Sequence, residues 1–299
     1  MTDGTCGSAT RRAVLSGVLA FLAMPSAFAG SPRAVPRIVS LDYGLATTLL
    51  ALGVVPAGVA AAADWDIWVV EPQLPSAVVD VGADQEPNLE LLAAMRPDLI
   101  LITPYLEAAR GVLERIAPVL SFAIYAEDGE PLRRAEAATR DLARRLGRED
   151  PAEAFLAAAD DAFSDCARRL ARRDIPPVAL VNFMDDRHAR IYGRHSLYQN
   201  VLDRFGVANA WAGATNYWGF QTIGIEELGR LDPGLRLIAF EPVPPDTVPT
   251  LARSPLWTSL PFVRRGQVST LPGVLMFGMV PSALRFAELL TAHLESVSP

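Results

Sequence analysis

Two stretches of this chain repeat one pattern, and that repeat limits the folds open to it. Asn88-Leu-Glu-Leu-Leu-Ala-Ala-Met-Arg-Pro-Asp-Leu-Ile-Leu-Ile102 lines up with Gly224-Ile-Glu-Glu-Leu-Gly-Arg-Leu-Asp-Pro-Gly-Leu-Arg-Leu-Ile238. Leu92 matches Leu228, Met95 matches Leu231, Pro97 matches Pro233, Leu99 matches Leu235 and Leu101 matches Leu237. In each copy a helical segment stops before a proline that cannot continue it, and a short apolar run follows as a buried strand. Any α/β chain contains several helix–turn–strand units, so one unit fixes only the class. The register shared along the whole stretch argues for two related lobes.

The rest of the chain keeps the alternation. Arg37 to Leu41 reads as a buried strand and Leu45 to Leu52 as a short helix. Glu86 to Met95 reads as a helix with Pro87 in its first turn, and Asp98 to Thr103 as another buried strand, followed by a helix ending near Ile116. Strands alternating with helices give an α/β fold of mainly parallel sheets with helices on their faces. Between the two copies, Arg133 to Leu146 forms one helix. A second starts at Glu149 or Asp150 with Pro151 in its first turn and runs to about Arg172, where Asp174-Ile-Pro-Pro177 forbids continuation. A helix of that length spans about 30 Å, enough to bridge two lobes, and bending it breaks backbone hydrogen bonds, so the expected hinge motion is limited. The expected organisation is an N-terminal lobe over 30–148, a linking helix over 149–174 and a C-terminal lobe over 175–299, behind an export signal over 1–29.

That signal is read from Arg11-Arg12, the apolar run Ala13 to Met24, and Ala27-Phe28-Ala29 as a cleavage site. The run falls short of the about 20 residues that span a bilayer as a helix. The arginine pair fits the twin-arginine route, and a plain secretory signal fits as well. Cleavage near Ala29 removes Cys6 and leaves Cys166 alone, so no internal disulfide is expected. No Leu-x-x-Cys lipid-attachment pattern sits at the cleavage site, and the mature protein is expected to be soluble and periplasmic.

Composition narrows the function by exclusion. The 27 basic residues, every one an arginine, are outnumbered by 34 acidic ones, and a net charge of −7 argues against a nucleic-acid partner. The chain has no Gly-x-Ser-x-Gly, Gly-x-Gly-x-x-Gly or Walker sequence. His188, His195 and His293 lack metal-ligand spacing, and surface or capping roles fit them better. The adjacent Glu226 and Glu227 point about 100° apart on a helix and cannot form a catalytic dyad. Neither a catalytic set nor a protein-held metal or cofactor is therefore expected. Aromatic residues say more: Trp65 and Trp68 lie in a turn-like stretch, Tyr105 follows a strand end, and Tyr217-Trp218 sit in a polar loop. Rings beyond strand C-termini stand where α/β proteins bind ligands, although each tryptophan could equally pack in its own lobe.

Leu49-Leu-Ala-Leu-Gly-Val-Val-Pro56, Trp68 to Pro75, Asp80-Val-Gly82 with Glu86 to Leu92, and Arg115-Ile-Ala-Pro118 together carry a family resemblance. Asn209-Ala-Trp211, Thr215-Asn-Tyr-Trp-Gly219, Pro255-Leu-Trp257 and Pro261-Phe-Val263 extend it through the second half. In these stretches the chain resembles the periplasmic iron(III)-hydroxamate (ferrichrome) binding proteins, substrate-binding components of ABC importers whose two lobes are joined by one long helix. The resemblance implies a monomer that captures a ferric siderophore in a shallow aromatic cleft and hands it to an inner-membrane ABC permease. Iron would then be held by the siderophore and not by the protein. By motif position it assigns Trp68, Tyr105 and Trp218 to the ligand.

Three positions depart from the pattern. Asp84 stands where the resemblance implies an arginine, and Leu275 and Phe277 stand where it implies a tryptophan and a tyrosine. An acceptor-only carboxylate replaces a cationic donor, and one hydroxyl is lost. The cargo expected from this is a siderophore other than ferrichrome, such as an amine-bearing ferrioxamine. The resemblance also implies docking on permease arginines through one acidic residue per lobe, from Glu107 or Glu114 and from Glu226 or Glu227. Haem or a corrinoid on the same scaffold is the alternative, with Tyr105 able to supply an axial oxygen. An exported enzyme is a more distant one.

Overall fold

The computed structural model describes Met1 and residues 36–297. The expected signal segment, with its arginine pair, Cys6 and the cleavage position near Ala29, lies outside the described residues.

The first half builds a five-stranded sheet. Its elements are β1 (Ile38–Ser40), α1 (Tyr43–Ala51), β2 (Gly58–Val59), α2 (Trp65–Trp68), β3 (Val79–Asp80), α3 (Leu89–Met95), β4 (Leu99–Ile102), α4 (Arg110–Leu113) and β5 (Val119–Ser121). All neighbours are parallel, in the order β3-β2-β1-β4-β5. Asp42 caps α1, its Oδ1 accepting from the Leu45 amide at 2.9 Å, and Asn88 caps α3 in the same way at 3.0 Å. The helix expected up to Ile116 is instead a 3₁₀ turn over Pro104–Ala109 followed by the short α4. Gly111 lies inside α4 and Pro118 follows closely, which leaves little helix-forming sequence there.

Two helices follow, α5 (Pro131–Leu146) and α6 (Glu149–Leu170). Gly147 closes α5 at φ +63°, the left-handed conformation that a helix terminus favours in glycine. With 22 residues, α6 is about 33 Å long.

The second half contains β6 (Val178–Phe183), β7 (His188–Tyr192), α7 (Leu197–Phe205), β8 (Phe220–Gly224), β9 (Arg236–Phe240), α8 (Thr247–Arg253), α9 (Pro255–Ser259), α10 (Pro261–Arg264), β10 (Val268–Leu271) and α11 (Val280–Val297). Its sheet runs β10-β9-β6-β7-β8, parallel among β10, β9 and β6 and antiparallel from β6 through β7 to β8. The protein is therefore α/β, with mostly parallel strands in two lobes, the first sheet wholly parallel and the second mixed, and the long α6 between them.

The sequence repeat has a topological counterpart. In the first lobe the repeat's strand, β4, pairs with the lobe's first strand, β1, and carries β5 on its outer side. In the second lobe β9 pairs with β6 and carries β10. The helical parts differ: α3 is an α-helix, whereas Ile225–Arg230 is a 3₁₀ turn. Gly229 stands where the first copy has Ala93, and glycine is the poorer helix former.

One apolar core passes through both lobes. It joins Ile38 and Leu101 of the first sheet to Val178, Leu180 and Phe240 of the second, through Leu142 of α5, Phe163 of α6 and Phe286 of α11. The C-terminal α11 packs on α6, α1 and α7, so the last helix of the chain touches elements of both halves. Cys166 is a free, buried thiol on α6.

An aromatic cleft between the two lobes

The parallel strands of the first lobe end at a common edge, and the segments leaving them line a cleft of about 520 Å³. β1 runs into Asp42, Tyr43 and Gly44, and β2 into Ala60. The segment after β3 supplies Asp84 and Gln85, β4 runs into Pro104 and Tyr105, and β5 runs on to Ile124 and Tyr125. The carboxyl ends of parallel strands are where open α/β sheets bind ligands. The second lobe closes the cleft with Arg190 of β7, Tyr217 and Trp218 before β8, Phe220 at its start, and Leu275 and Phe277 after β10.

Rings from both lobes pack as one cluster around Trp218. Its centroid lies 6.4 Å from Tyr105 and 5.3 Å from Phe277, both edge-on, and 5.5 Å from Tyr125 at an interplanar angle of 35°. Phe277 in turn lies 5.8 Å from Phe220. Edge-to-face and tilted contacts at these distances place the positive ring edges against negative ring faces. Tyr105 and Trp218 come from different lobes, so this wall spans the cleft.

Local chemistry presents Trp218. Asn216 Oδ1 accepts from the backbone amides of Trp218, at 3.0 Å, and Phe220, at 3.3 Å, holding a turn between them. Gly219 completes it at φ +83°, and a Cβ there would lie 2.2 Å from the Ser196 amide nitrogen. Tyr125 supports the opposite side. Its hydroxyl donates, bifurcated, to the carbonyls of Met276 at 3.1 Å and Gly278 at 3.0 Å, fixing the backbone around Phe277. Burial holds the Tyr125 phenol well above its ordinary pKa, so it remains a donor.

Two carboxylates line the cleft in different settings. Asp84 is exposed at the rim. Asp42 has its carboxylate surrounded by protein, and desolvation pushes its pKa up to about 6 against the opposing pull of the Leu45 and Gly44 amides. The cationic member is Arg190, whose guanidinium carbon lies 5.1 Å from the Phe220 ring centroid.

Of the residues singled out from sequence, the cleft brings together Asp84, Tyr105, Tyr217, Trp218, Leu275 and Phe277. Trp68 does not line it. Trp68 ends α2 and is exposed, while its neighbour Trp65 is buried, edge-on to Tyr43 at 5.6 Å and donating through Nε1 to the Pro72 carbonyl. The acidic docking candidates lie elsewhere. Glu107 and Glu114 both pair with Arg110, Glu227 pairs with Arg230 at 3.4 Å, and Glu226 makes no ion pair among the described residues. His188 pairs with Asp185 at 3.0 Å, and His195 lies 3.4 Å from the Asn216 carbonyl. Among the described residues no group of three or more His, Cys, Asp or Glu side chains could hold a metal ion.

Sequence reasoning missed Asp42, Tyr43, Tyr125, Arg190 and Phe220. The cap signal of Asp42, just before a helix, was legible. Arg190 carried no such signal, because an arginine in an alternating strand reads as solvent-facing.

A cleft walled by aromatic rings between two α/β lobes, with a long helix joining them, defines a two-lobed solute-binding protein. Residues 38–275 match the model of the periplasmic binding protein family, and the chain belongs to that family. It is 35% identical to the iron(3+)-hydroxamate-binding protein FhuD of Escherichia coli over 85% of each chain. It is 28% identical to the Fe(3+) dicitrate-binding periplasmic protein FecB of Escherichia coli, over 78% of this chain and 76% of the relative. Among solved structures it resembles the siderophore-binding protein FhuD of Vibrio cholerae bound to Fe3+–Desferal, with a TM-score of 0.83 and 30% identity over 89% of this chain and 100% of the other. These relatives are binding proteins.

Proposed function

We propose that this protein is the periplasmic capture component of an ABC importer, binding a ferric hydroxamate-type siderophore and delivering it to the membrane permease. The observation that carries the reading is the ring wall in which Tyr105 of one lobe meets Trp218 of the other over a cleft of about 520 Å³. A bulky ferric chelate that already satisfies its metal needs apolar walls and a few donors, and this cleft offers both. The relatives named for iron(3+)-hydroxamate binding support that cargo class. The family supports a periplasmic location, and among the described residues no helix is long and apolar enough to cross a membrane. The reading keeps a lobe over 30–148, a linking helix over 149–174 and a lobe over 175–299 in a monomer.

Asp84 is the rim residue that selects the cargo in this reading. An exposed carboxylate at the mouth favours a complex with a pendant amine over a neutral one. Glu226, exposed and without an ion pair among the described residues, is the best-placed docking carboxylate of the second lobe, because it gives up no partner there to meet a permease arginine. Glu107, Glu114 and Glu227 would each have to share one.

Quenching of tryptophan fluorescence by a panel of ferrioxamine B, ferrichrome, ferric dicitrate, haem and cobalamin tests the reading. Ferrioxamine B is expected to bind tightest, and Asp84→Asn to narrow its advantage over ferrichrome. Failure of every ligand to bind below about 10 μM removes the capture function. A haem Soret band on titration reassigns the cargo, and an unchanged preference in Asp84→Asn removes the role of Asp84.

A further inference from the structure

The guanidinium of Arg190 is unusual among the charged groups of this protein. It lines the cleft, yet its Nε is buried without a hydrogen-bond partner among the described residues. Its remaining contacts are the face of Phe220 and the sulfur of Met276, 3.9 Å from Nη1. That sulfur already accepts from the Tyr192 hydroxyl at 2.6 Å. Neither carboxylate of the cleft answers it. Asp42 is engaged as the cap of α1, Asp84 stands at the rim, and no ion pair among the described residues includes Arg190. A half-buried guanidinium beside aromatic rings, with one idle N–H, gains from an acceptor that enters the cleft.

Strand geometry explains why the side chain is there. On β7, Arg190 sits across from Asn182 of β6 and Thr222 of β8. Side chains alternate along a strand, so Arg190 shares a face with Tyr192, whose hydroxyl reaches Asn182 and Met276. That face continues through Phe220 and Met276 to Phe277 of the ring wall. The arginine is thus built into the second lobe's side of the cleft and does not hang over an outer surface.

We infer that Arg190 is the cationic anchor of the cleft, donating from the second lobe to the metal-bound oxyanion oxygens of the ferric chelate. The inference rests on the capture function proposed above and adds the ligand face that the second lobe recognises. Coordinated hydroxamate and carboxylate oxygens both carry the negative charge that a guanidinium fork binds. Position 84 holds an aspartate, and Arg190 returns a cationic donor to the cleft from the opposite wall. The two charges set an orientation: the oxygen face of the complex turns inward to Arg190, and an amine arm turns outward to Asp84.

Arg190→Met keeps the stem that packs on Phe220 and removes the charge, while Arg190→Lys restores a charge without the fork. Binding of ferrioxamine B and of ferric dicitrate is measured for both variants and the wild type by tryptophan quenching. The expected result is a loss of about tenfold or more in Arg190→Met and partial recovery in Arg190→Lys, for whichever complex the wild type binds. A loss with ferrioxamine B assigns hydroxamate oxygens, and a loss with ferric dicitrate assigns carboxylate oxygens. Arg190→Met binding within threefold of a wild type that itself binds overturns this inference alone. A wild type that binds neither these nor the wider panel overturns the capture function with it. Should Arg190→Met not fold, the nitrogen-15 Nε–Hε resonance of Arg190 is followed in the wild type as gallium ferrioxamine B is added. A shift supports the contact, and an unmoved resonance with bound ligand overturns it.

Discussion

Tyr105 and Trp218 meet edge to face, their centroids 6.4 Å apart, although one follows β4 of the first lobe and the other precedes β8 of the second. Tyr105 is exposed, whereas Trp218 is half-buried against Tyr125 and Phe277. A ligand in the cleft therefore finds one adjustable ring and one held in place.

The fixed ring should dominate binding and report on it. Trp218→Ala is expected to weaken capture by about tenfold or more and to remove most of the quenching signal. Gly219→Ala should approach the same loss without touching the ring, because its Cβ would meet the Ser196 backbone at 2.2 Å and displace the turn. Ligand titrations of both variants check this. Wild-type affinity in Gly219→Ala would show that the turn does not position Trp218.

Asp42 gives stability an unusual pH dependence. Its pKa rises from 3.8 unfolded to about 6 folded, so the folded state holds this proton more tightly. Its charge costs nothing below pH 4, costs progressively more as the pH rises towards 6, and reaches its full cost above that. An asparagine in its place would still cap α1, since the amide oxygen accepts as the carboxylate does. Asp42→Asn is therefore expected to match the wild type below pH 4 and to exceed it by about 1–3 kcal/mol at pH 7.5. Urea denaturation at the two pH values is the measurement, and equal stabilities at pH 7.5 would refute the effect.

Tyr125 connects the first lobe to the segment after β10. Tyr125→Phe leaves the Met276 and Gly278 carbonyls without that donor and is expected to cost about 1–3 kcal/mol in chemical denaturation. Ligand affinity should fall as well, since the Phe277 backbone loses its tie. A loss of stability with unchanged affinity would confine Tyr125 to a structural role.

Much of this architecture is written locally in the chain. Proline after a helical run, apolar segments short enough to be strands, and proline in the first turn of a helix act over a few residues. They therefore disclosed the α/β class, the repeat and α6 before any contact was known. Aromatic residues beyond strand ends pointed to the cleft for a related reason, because parallel strands deliver their C-terminal loops to one edge. Sheet order decided the rest. It brought β4 beside β1 and β9 beside β6, giving the repeat its shared place, and it gathered Tyr105, Tyr125, Trp218 and Phe277 from distant segments. It also left Trp68 outside the cleft and placed Arg190 in it. Periodicity tells a side chain which face of its strand it occupies. Whether that face meets water, a core or a ligand depends on packing between segments far apart in the chain.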